Sequence, residues 1–258
     1  MLELINVTKI FNKGTPNEKI ALNNVSLTLQ DEDFVTIIGG NGAGKSTLMN
    51  VISGKMKPDS GRIHIDGKDI TNMSEHKRAK FFGRVFQDPL MGTAANMLIE
   101  ENLSVASLRG KRRTLRFGIS KKERAKYKEL LKELDLGLED RLKTEVGLLS
   151  GGQRQALTLL MASMNNPKLL LLDEHTAALD PKTSAKVLAI TDKIVNENRL
   201  TTLMITHNMH DAIIHGNRLI MMNNGEIALD ISGEEKRSLT VKSLLDRFDG
   251  VASDRMLL

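Results

Sequence analysis

The sequence has no cysteine and few aromatic residues. Among its 258 residues Cys and Trp do not occur, Tyr occurs once, and aromatic residues make up 3%. Without cysteine there are no disulfides and no thiolate metal ligands, a composition that is compatible with a reducing cytosol. The shortage of aromatic side chains argues against a surface built for stacking on bases or sugars.

Long apolar runs are missing as well. No stretch approaches the ~18 consecutive apolar residues of a transmembrane helix. The N-terminal sequence MLELINVTKIF contains Glu3 and lacks the basic start and apolar run of a signal peptide. We therefore expect any role at a membrane to depend on a partner. The residues that are present, 40% hydrophobic and 27% charged, are ordinary for a globular protein.

The hydrophobic pattern alternates between the periods of strands and helices. The run FVTII at residues 34–38 is typical of a strand buried on both faces. Residues 89 to about 165 show helical spacing and no clear strand. After residue 169 the two patterns alternate, with helices expected at about 182–198 and 209–215 and strands at 218–222 and 226–231. This alternation predicts an α/β fold with a mainly parallel core sheet and a helical insertion.

A glycine-rich segment follows the buried strand and precedes a helix. Residues 39–46 fit the pattern G-x-x-x-x-G-K-[ST], in which backbone N–H groups and a helix N-terminus surround a phosphate chain. Lys45 is expected to reach the β and γ phosphates, and the Ser46 hydroxyl to ligate Mg²⁺. The alternative is a glycine-rich turn without a ligand. The predicted binding residues are Gly39, Gly40, Asn41, Gly42, Ala43, Gly44, Lys45, Ser46 and Thr47.

A nucleoside triphosphatase also needs a carboxylate at the end of a neighbouring strand. The segment LLLLDE at residues 169–174 supplies two. Asp173 is expected to hold the Mg²⁺ shell. Glu174, one residue further, is expected to polarise the attacking water as general base. The alternative for Glu174 is a solvated loop carboxylate.

A second candidate anion site is the segment LLSGGQRQALTL. Ser150, Gly151, Gly152 and Gln153 stand in front of a helix whose apolar positions recur at one-face spacing. A helix N-terminus without bulky side chains lets an anion approach closely. Both phosphate-binding helix ends could face one nucleotide, or each could serve a different nucleotide in a head-to-tail pair. Ser150 as an ordinary N-cap, with glycines for a tight turn, is the alternative.

Together, GGNGAGKST, LSGGQRQ and LLLLDE resemble the defining motifs of the ATP-binding-cassette (ABC) ATPases, in the family's order and over essentially the whole chain. The resemblance assigns four further sites. Gln87 in VFQDP resembles the family's glutamine loop, and Asp180 lies in a segment like the loop that crosses the dimer interface. His207 in MITHNM resembles the switch histidine. Phe11 corresponds to the aromatic residue that stacks on adenine, with a core residue at a strand end as its alternative.

The resemblance implies a single nucleotide-binding domain over residues 1–258. Residues 1–88 and 166–258 would form the core ATPase with its antiparallel β subdomain, and residues 89–165 the helical subdomain. Two copies would close head to tail around two ATP molecules, each bound by the glycine-rich loop of one copy and by Ser150, Gly151 and Gly152 of the other. Glu174 would activate water, His207 would contact the γ-phosphate, and Gln87 would link Mg²⁺ to the helical subdomain.

One residue departs from the family pattern. Where many cassettes have proline after the acidic pair, this chain has His175. The segment DEHTAALDP resembles a bacterial subfamily of tryptophan/tyrosine-type import systems. This resemblance implies the ATPase subunit of an importer for an aromatic amino acid or related small solute, at the cytoplasmic face of the membrane. Its partners would be a separate permease and, indirectly, a substrate-binding protein.

Other cassette classes are the alternatives. A soluble assembly scaffold remains compatible with the motifs. Translation factors usually carry two cassettes in tandem, and chromosome-maintenance proteins separate their halves by a long coiled coil; this chain has one loop and one signature motif. Nucleic acid is therefore not expected as a partner.

A dense cluster of basic residues occupies residues 109–128, RGKRRTLRFGISKKERAKYK, in a chain of net charge +5. Three interpretations are open: a solvated helical face, contact with the anionic face of a membrane, and phosphate binding on a nucleic acid. The sequence favours them in that order.

Overall fold

The computed structural model describes residues 1–111 and 118–254. Arg112, Arg113 and Arg116 of the basic cluster lie outside the described residues. The chain divides into two compact units, one formed by Met1–Glu75 with Thr201–Leu258 and the other by His76–Leu200. The predicted division into residues 1–88 with 166–258 and residues 89–165 stays a prediction.

The strands of the described chain, in order, are β1 (Leu2–Phe11), β2 (Lys19–Leu29), β3 (Phe34–Ile38), β4 (Ser60–Ile65), β5 (Lys68–Asp69), β6 (Phe82–Val85), β7 (Leu169–Asp173), β8 (Thr202–Ile205), β9 (Arg218–Asn223) and β10 (Glu226–Ser232). The helices are α1 (Lys45–Ser53), α2 (Glu75–Arg78), α3 (Ile99–Ser107), α4 (Lys121–Lys132), α5 (Gly151–Ser163), α6 (Pro181–Glu197), α7 (Met209–Ile214), α8 (Gly233–Arg237) and α9 (Val241–Asp254). Short 3-10 turns cover Pro89–Gly92 and Val146–Leu148.

The first unit contains an antiparallel sheet and the parallel strands around the glycine-rich loop. Strands β2, β1, β4 and β5 are neighbours in that order, and all their pairings are antiparallel. Strand β3 runs parallel to both β8 and β9, and β10 pairs with β9 in the antiparallel sense. All five residues of β3 are buried, as expected for a strand covered on both faces. A buried cluster around Ile38 joins the end of β3 to β9, β10, α7 and α9.

The second unit is mostly helical and contains two parallel strands. Strands β6 and β7 pair in register, with Phe82 opposite Leu169 and Val85 opposite Leu172. Helix α5 lies against β6 so closely that a Cβ on Gly83 would come within 2.3 Å of the Ala162 carbonyl oxygen. Helix α6 buries Val187, Thr191 and Ile194, which recur at the spacing of one helical face.

The α/β fold class is confirmed, with a parallel core and a separate antiparallel sheet. Helices α6 and α7 match their predicted ranges to within one residue, and β9 and β10 occupy the two segments expected to be strands. Among residues 1–111 and 118–254, none of the helices is long and apolar enough to cross a membrane.

Candidate functional site

The glycine-rich loop connects the end of β3 to the start of α1 in a conformation that requires glycine at two positions. Gly39 has φ 152°, and a Cβ there would come within 2.3 Å of the Met222 carbonyl oxygen. Gly44 has φ 102°, and its Cβ would come within 2.5 Å of the Ala21 carbonyl oxygen. The backbone of β2 and β9 therefore sets the path of the loop, and any side chain at these two glycines would displace it.

Backbone hydrogen bonds fix the loop, and several of its N–H groups have no acceptor within the described chain. The Ala43 N–H donates to the Gly40 carbonyl at 3.2 Å, and the Gly225 N–H, in the turn between β9 and β10, donates to the Ala43 carbonyl at 3.0 Å. Within the described chain, the N–H groups of Gly42, Gly44 and Lys45 have no hydrogen-bond acceptor. Three backbone donors at a helix start are an arrangement that binds phosphate.

Lys45 is buried beneath this loop, with 8% of its surface exposed. Its ammonium group donates to the carbonyl oxygens of Gly39 at 2.7 Å and Gly40 at 3.1 Å. An ammonium group has three donors, so one remains for an anion held by the loop. Ser46 is exposed and Thr47 half-buried in the first turn of α1, so the predicted metal-binding hydroxyl is accessible.

Phe11 is the last residue of β1 and is half-buried. It pairs across the strands with Lys19, the first residue of β2. The Nζ atom of Lys19 lies 3.2 Å from the place that a Cβ of Gly42 would occupy. Lys19 thus adds a cation to the glycine-rich loop, and sequence analysis missed it because strand pairing, rather than any motif, brings it there.

His207 lies at the same edge of the parallel strands as Gly39. Ile37 on β3 is in register with Ile205 on β8, and Gly39 and His207 each follow two residues later. The His207 side chain is exposed. Asn208, the next residue, caps α7 by accepting from the N–H groups of His210 and Asp211 at 2.9 and 3.3 Å. The first unit therefore brings the glycine-rich loop, Phe11 and His207 together on one fold.

In the second unit Asp173 ends β7 and is engaged by an arginine. One of its carboxylate oxygens, Oδ2, accepts from Nη2 of Arg84 at 3.2 Å, and both side chains are largely buried, with 12% of Arg84 and 17% of Asp173 exposed. Among the described residues, the other oxygen of Asp173 has no hydrogen-bond partner. The site thus offers one carboxylate oxygen to a metal ion.

Glu174 follows in a backbone conformation that is uncommon for its residue type. Its φ angle is 46°, in the left-handed region that non-glycine residues rarely adopt. The next residue, His175, is 98% buried, and its Nε2 lies 3.1 Å from the Thr191 hydroxyl. That hydroxyl donates to the Val187 carbonyl, so it accepts from the histidine, and Nε2 carries the proton. His175 is therefore an anchor of this loop in α6.

Gln87 stands beside Glu174 at the edge of the parallel pair. Because Val85 is in register with Leu172, Gln87 and Glu174 each lie two residues beyond that pair. Gln87 is exposed, and the following Asp88 caps the 3-10 turn by accepting from the Leu90 N–H at 2.9 Å. The end of β6 and the end of β7 thus present Gln87, Asp173 and Glu174 at one edge.

Ser150 caps α5, as its ordinary interpretation predicts. Its hydroxyl accepts from the Gln153 N–H, and the Gln153 side-chain oxygen accepts from the Ser150 N–H, both at 3.3 Å. This reciprocal pair is a capping box. Gly152 also has a packing reason, since its Cβ would come within 2.2 Å of the Thr183 methyl group. The anion-binding role of Ser150, Gly151, Gly152 and Gln153 stays a prediction.

Asp180 caps α6, with Pro181 in the first turn. Its Oδ1 accepts from the Thr183 N–H at 3.1 Å. Hydrogen bonds from the hydroxyl and then the N–H of Thr183 lower the pKa of Asp180 below its usual value. The cap is therefore ionised near neutral pH, and a role at a dimer interface stays a prediction.

Comparison with known proteins gives the family. The family model for ABC transporters matches residues 22–177. The tyrosine transport ATP-binding protein of Clostridioides difficile is 47% identical over 249 residues, which are 96% of this chain and 99% of that protein. An energy-coupling factor transporter ATP-binding protein of Acetivibrio thermocellus is 33% identical over 233 residues, 88% of this chain and 78% of that protein.

A solved structure agrees with these relatives. The dimeric post-hydrolysis state of an ATP-binding cassette bound to ADP and Pi superposes with a TM-score of 0.75 at 30% identity, over 90% of this chain and 98% of that one. The family-model match over residues 22–177 covers the glycine-rich loop, the signature motif and the acidic pair. The chain belongs to the ABC transporter family, and it is an ATP-binding subunit of that family with ATPase activity.

Proposed function

We propose that this chain is the ATP-hydrolysing subunit of an importer for an aromatic amino acid or a related small solute. The observation that carries the proposal is the 47% identity to a tyrosine transport ATP-binding protein, over nearly the full length of both chains. The chain would act at the cytoplasmic face of a membrane, bound to a separate permease and served indirectly by a substrate-binding protein. Residues 89–165 would be the helical subdomain.

The glycine-rich loop supplies the nucleotide site in this proposal. The free N–H groups at Gly42, Gly44 and Lys45 and the third donor of the Lys45 ammonium would hold the β and γ phosphates. Phe11 would stack on adenine. The other loop residues, Gly39, Gly40, Asn41, Ala43, Ser46 and Thr47, would complete the cradle.

The residues present also fit a magnesium ion. Mg²⁺ in nucleotide sites is usually held by one or two protein ligands together with phosphate oxygens and water. The Ser46 hydroxyl, the open oxygen of Asp173 and Gln87 are oxygen donors of the kind Mg²⁺ prefers. When bound, Mg²⁺ would neutralise charge on the transferred phosphoryl group.

Glu174 would orient and polarise the attacking water as general base, and His207 would contact the γ-phosphate. Ser150, Gly151, Gly152 and Gln153 would contact the ATP of a second copy, with Asp180 at the interface between copies. Closure of the two copies would exclude water and place further N–H donors where negative charge develops. Hydrolysis and loss of phosphate would remove the shared ligand, and the pair would open.

The test is affinity capture of a tagged Glu174→Gln chain from detergent-solubilised native cells with MgATP, followed by mass spectrometry. Wild-type chain without nucleotide is the matched control. A polytopic membrane protein enriched with Glu174→Gln is the expected result. Recovery of soluble partners alone would replace the transporter proposal with that of an assembly scaffold.

The substrate class needs a separate measurement. Deletion of the chain should reduce uptake of labelled tyrosine or tryptophan, and wild-type chain but not Lys45→Ala should restore it. Unchanged uptake of both amino acids, together with a captured permease, would leave the transporter standing and overturn the aromatic substrate.

A further inference from the structure

Arg84 occupies a position that connects the acidic pair to the glutamine loop. It lies on β6, one residue before the end of the strand. Its Nη2 donates to Asp173 at the end of β7, and its guanidinium carbon lies 4.7 Å from the centroid of the Phe86 ring. Phe86 directly precedes Gln87. A single cation is therefore in contact with Asp173 and with the residue before Gln87, at two of the three predicted magnesium ligands.

The backbone of Phe86 is in turn held by a side chain of helix α5. The side-chain amide of Gln155 donates to the Phe86 carbonyl at 3.3 Å, and Gln155 is 99% buried in α5, the helix that begins after Ser150. Phe86 is thus fixed by its backbone while its ring supports Arg84. A guanidinium group on an aromatic face next to a carboxylate loses little freedom when it pairs.

We propose that Arg84 is a positioning residue of the metal site, which holds Asp173 by one oxygen and sets how strongly Mg²⁺ increases nucleotide affinity. The inference rests on the proposed role of Asp173 as a magnesium ligand. The ion pair leaves the second oxygen of Asp173 open, so a metal and Arg84 share one carboxylate. Two cations on one largely buried carboxylate repel each other. Arg84 therefore keeps metal affinity below the value that Asp173 alone would give.

Removal of the cation changes metal binding in a defined direction. In Arg84→Met the guanidinium no longer competes, and the carboxylate of Asp173 stays in a largely buried place without a counter-charge. Both effects favour a metal ion. If Arg84 had only a structural role, its removal would lower stability and would weaken nucleotide binding equally with and without metal. The ratio of the two nucleotide affinities would then stay unchanged.

The measurement is the affinity for a fluorescent ADP analogue, with EDTA and with saturating Mg²⁺. The quantity compared is the dissociation constant in EDTA divided by the dissociation constant in Mg²⁺, so a larger ratio means that Mg²⁺ strengthens binding more. ADP avoids turnover. We expect Arg84→Met to raise this ratio on the order of tenfold. Arg84→Lys keeps the positive charge and should stay within about twofold of wild type. Arg62→Met, which removes an exposed arginine on β4, is the matched control and should have the wild-type ratio.

Asp173→Asn separates the two levels of the argument. If Asp173 is a magnesium ligand, this variant loses most of the Mg²⁺ effect, and adding Arg84→Met to it changes the ratio no further. A wild-type ratio in Asp173→Asn would overturn the proposed metal role itself. If Asp173→Asn loses the Mg²⁺ effect but Arg84→Met has a wild-type or lower ratio, the inference about Arg84 alone is overturned. If Arg84→Met does not fold, Arg84→Gln, which retains a donor without charge, should show the same rise.

Discussion

Phe11 and Lys19 are opposite each other at the open end of the first two strands, and Lys19 reaches the glycine-rich loop. The pair is in register, and the Lys19 Nζ lies 3.2 Å from the Cβ position of Gly42. Cross-strand partners point to the same face of a sheet. This strand pair therefore carries an aromatic ring and a cation on one face of the sheet, and the cation lies beside the glycine-rich loop.

We expect Lys19→Ala to weaken ATP binding about threefold to tenfold, because an exposed cation near a phosphate contributes modestly. Lys68→Ala removes an exposed lysine from the same antiparallel sheet and is the control. Fluorescence titration with an ATP analogue at low and high salt measures the effect, which should shrink as salt screens the charge. Equal affinity of the two variants would show that Lys19 does not act on the nucleotide.

Glu174→Gln preserves size and hydrogen-bonding capacity and removes the base. We expect kcat to fall by at least about a hundredfold, the range of a lost general base, with MgATP still bound and the chain paired in its presence. Steady-state ATPase assays and size-exclusion chromatography with MgATP measure the two effects. Normal turnover would eliminate Glu174 as the base, and loss of ATP binding would indicate that the variant disturbs the loop instead.

Thr191→Val tests the anchor that follows Glu174. The substitution is close to isosteric and leaves the buried His175 Nε2 without its acceptor, so the free energy of unfolding should fall by about 1–3 kcal/mol. ATP affinity should stay at the wild-type value while kcat falls, because the loop that carries Glu174 is no longer held. Thr191→Ser retains the hydroxyl and is the matched variant for urea unfolding and turnover assays. Equal behaviour of the two variants would mean that the hydrogen bond is unimportant.

The stability that Asp59 contributes near the end of β1, the strand that carries Phe11, should depend on pH. The N–H of Ile10, at 2.7 Å, and the ammonium of Lys9, at 3.1 Å, lower the pKa of this carboxyl below its usual value. A carboxyl whose pKa is lower in the folded state stabilises the fold fully at pH values above its unfolded-state pKa. That stabilisation is lost as the pH falls through the folded-state pKa. Asp59→Asn should therefore be less stable by about 1 kcal/mol near neutrality, after allowance for its partial exposure.

The difference should shrink as the pH is lowered from about 5 toward 3. Urea unfolding of both chains at a series of pH values measures it. A difference that grows toward low pH has the wrong sign and would contradict the assignment.

Local sequence was enough to predict the glycine-rich loop and α6, and it offered the cap at Ser150 as an alternative. Each depends on residues within one turn or one strand–helix junction, where φ angles, capping side chains and apolar spacing act directly. Gly152 was interpreted through phosphate binding or a tight turn, and its close approach to Thr183 was not foreseen. That contact joins two helices and depends on how α5 and α6 pack.

Long-range register determines what the sequence could not show. Arg84 meets Asp173 because β6 and β7 pair without a shift, and no pattern within either strand indicates that pairing. Lys19 reaches Gly42 through a pair of strands whose register shifts several times between Leu4 and Ile10. A shift of one residue turns a side chain to the other face, so such contacts follow only from the folded chain.

The capping box at the start of α5 would give the proposed anion site of the signature motif a selectivity of its own. While Ser150 and Gln153 satisfy each other, a neutral molecule that displaced them would exchange one ordinary hydrogen bond for another and gain little. An ionised phosphate accepts charge-assisted bonds that are about twice as strong. In the proposed pair of copies, the first turn of α5 would therefore favour the triphosphate of a second copy over an uncharged molecule.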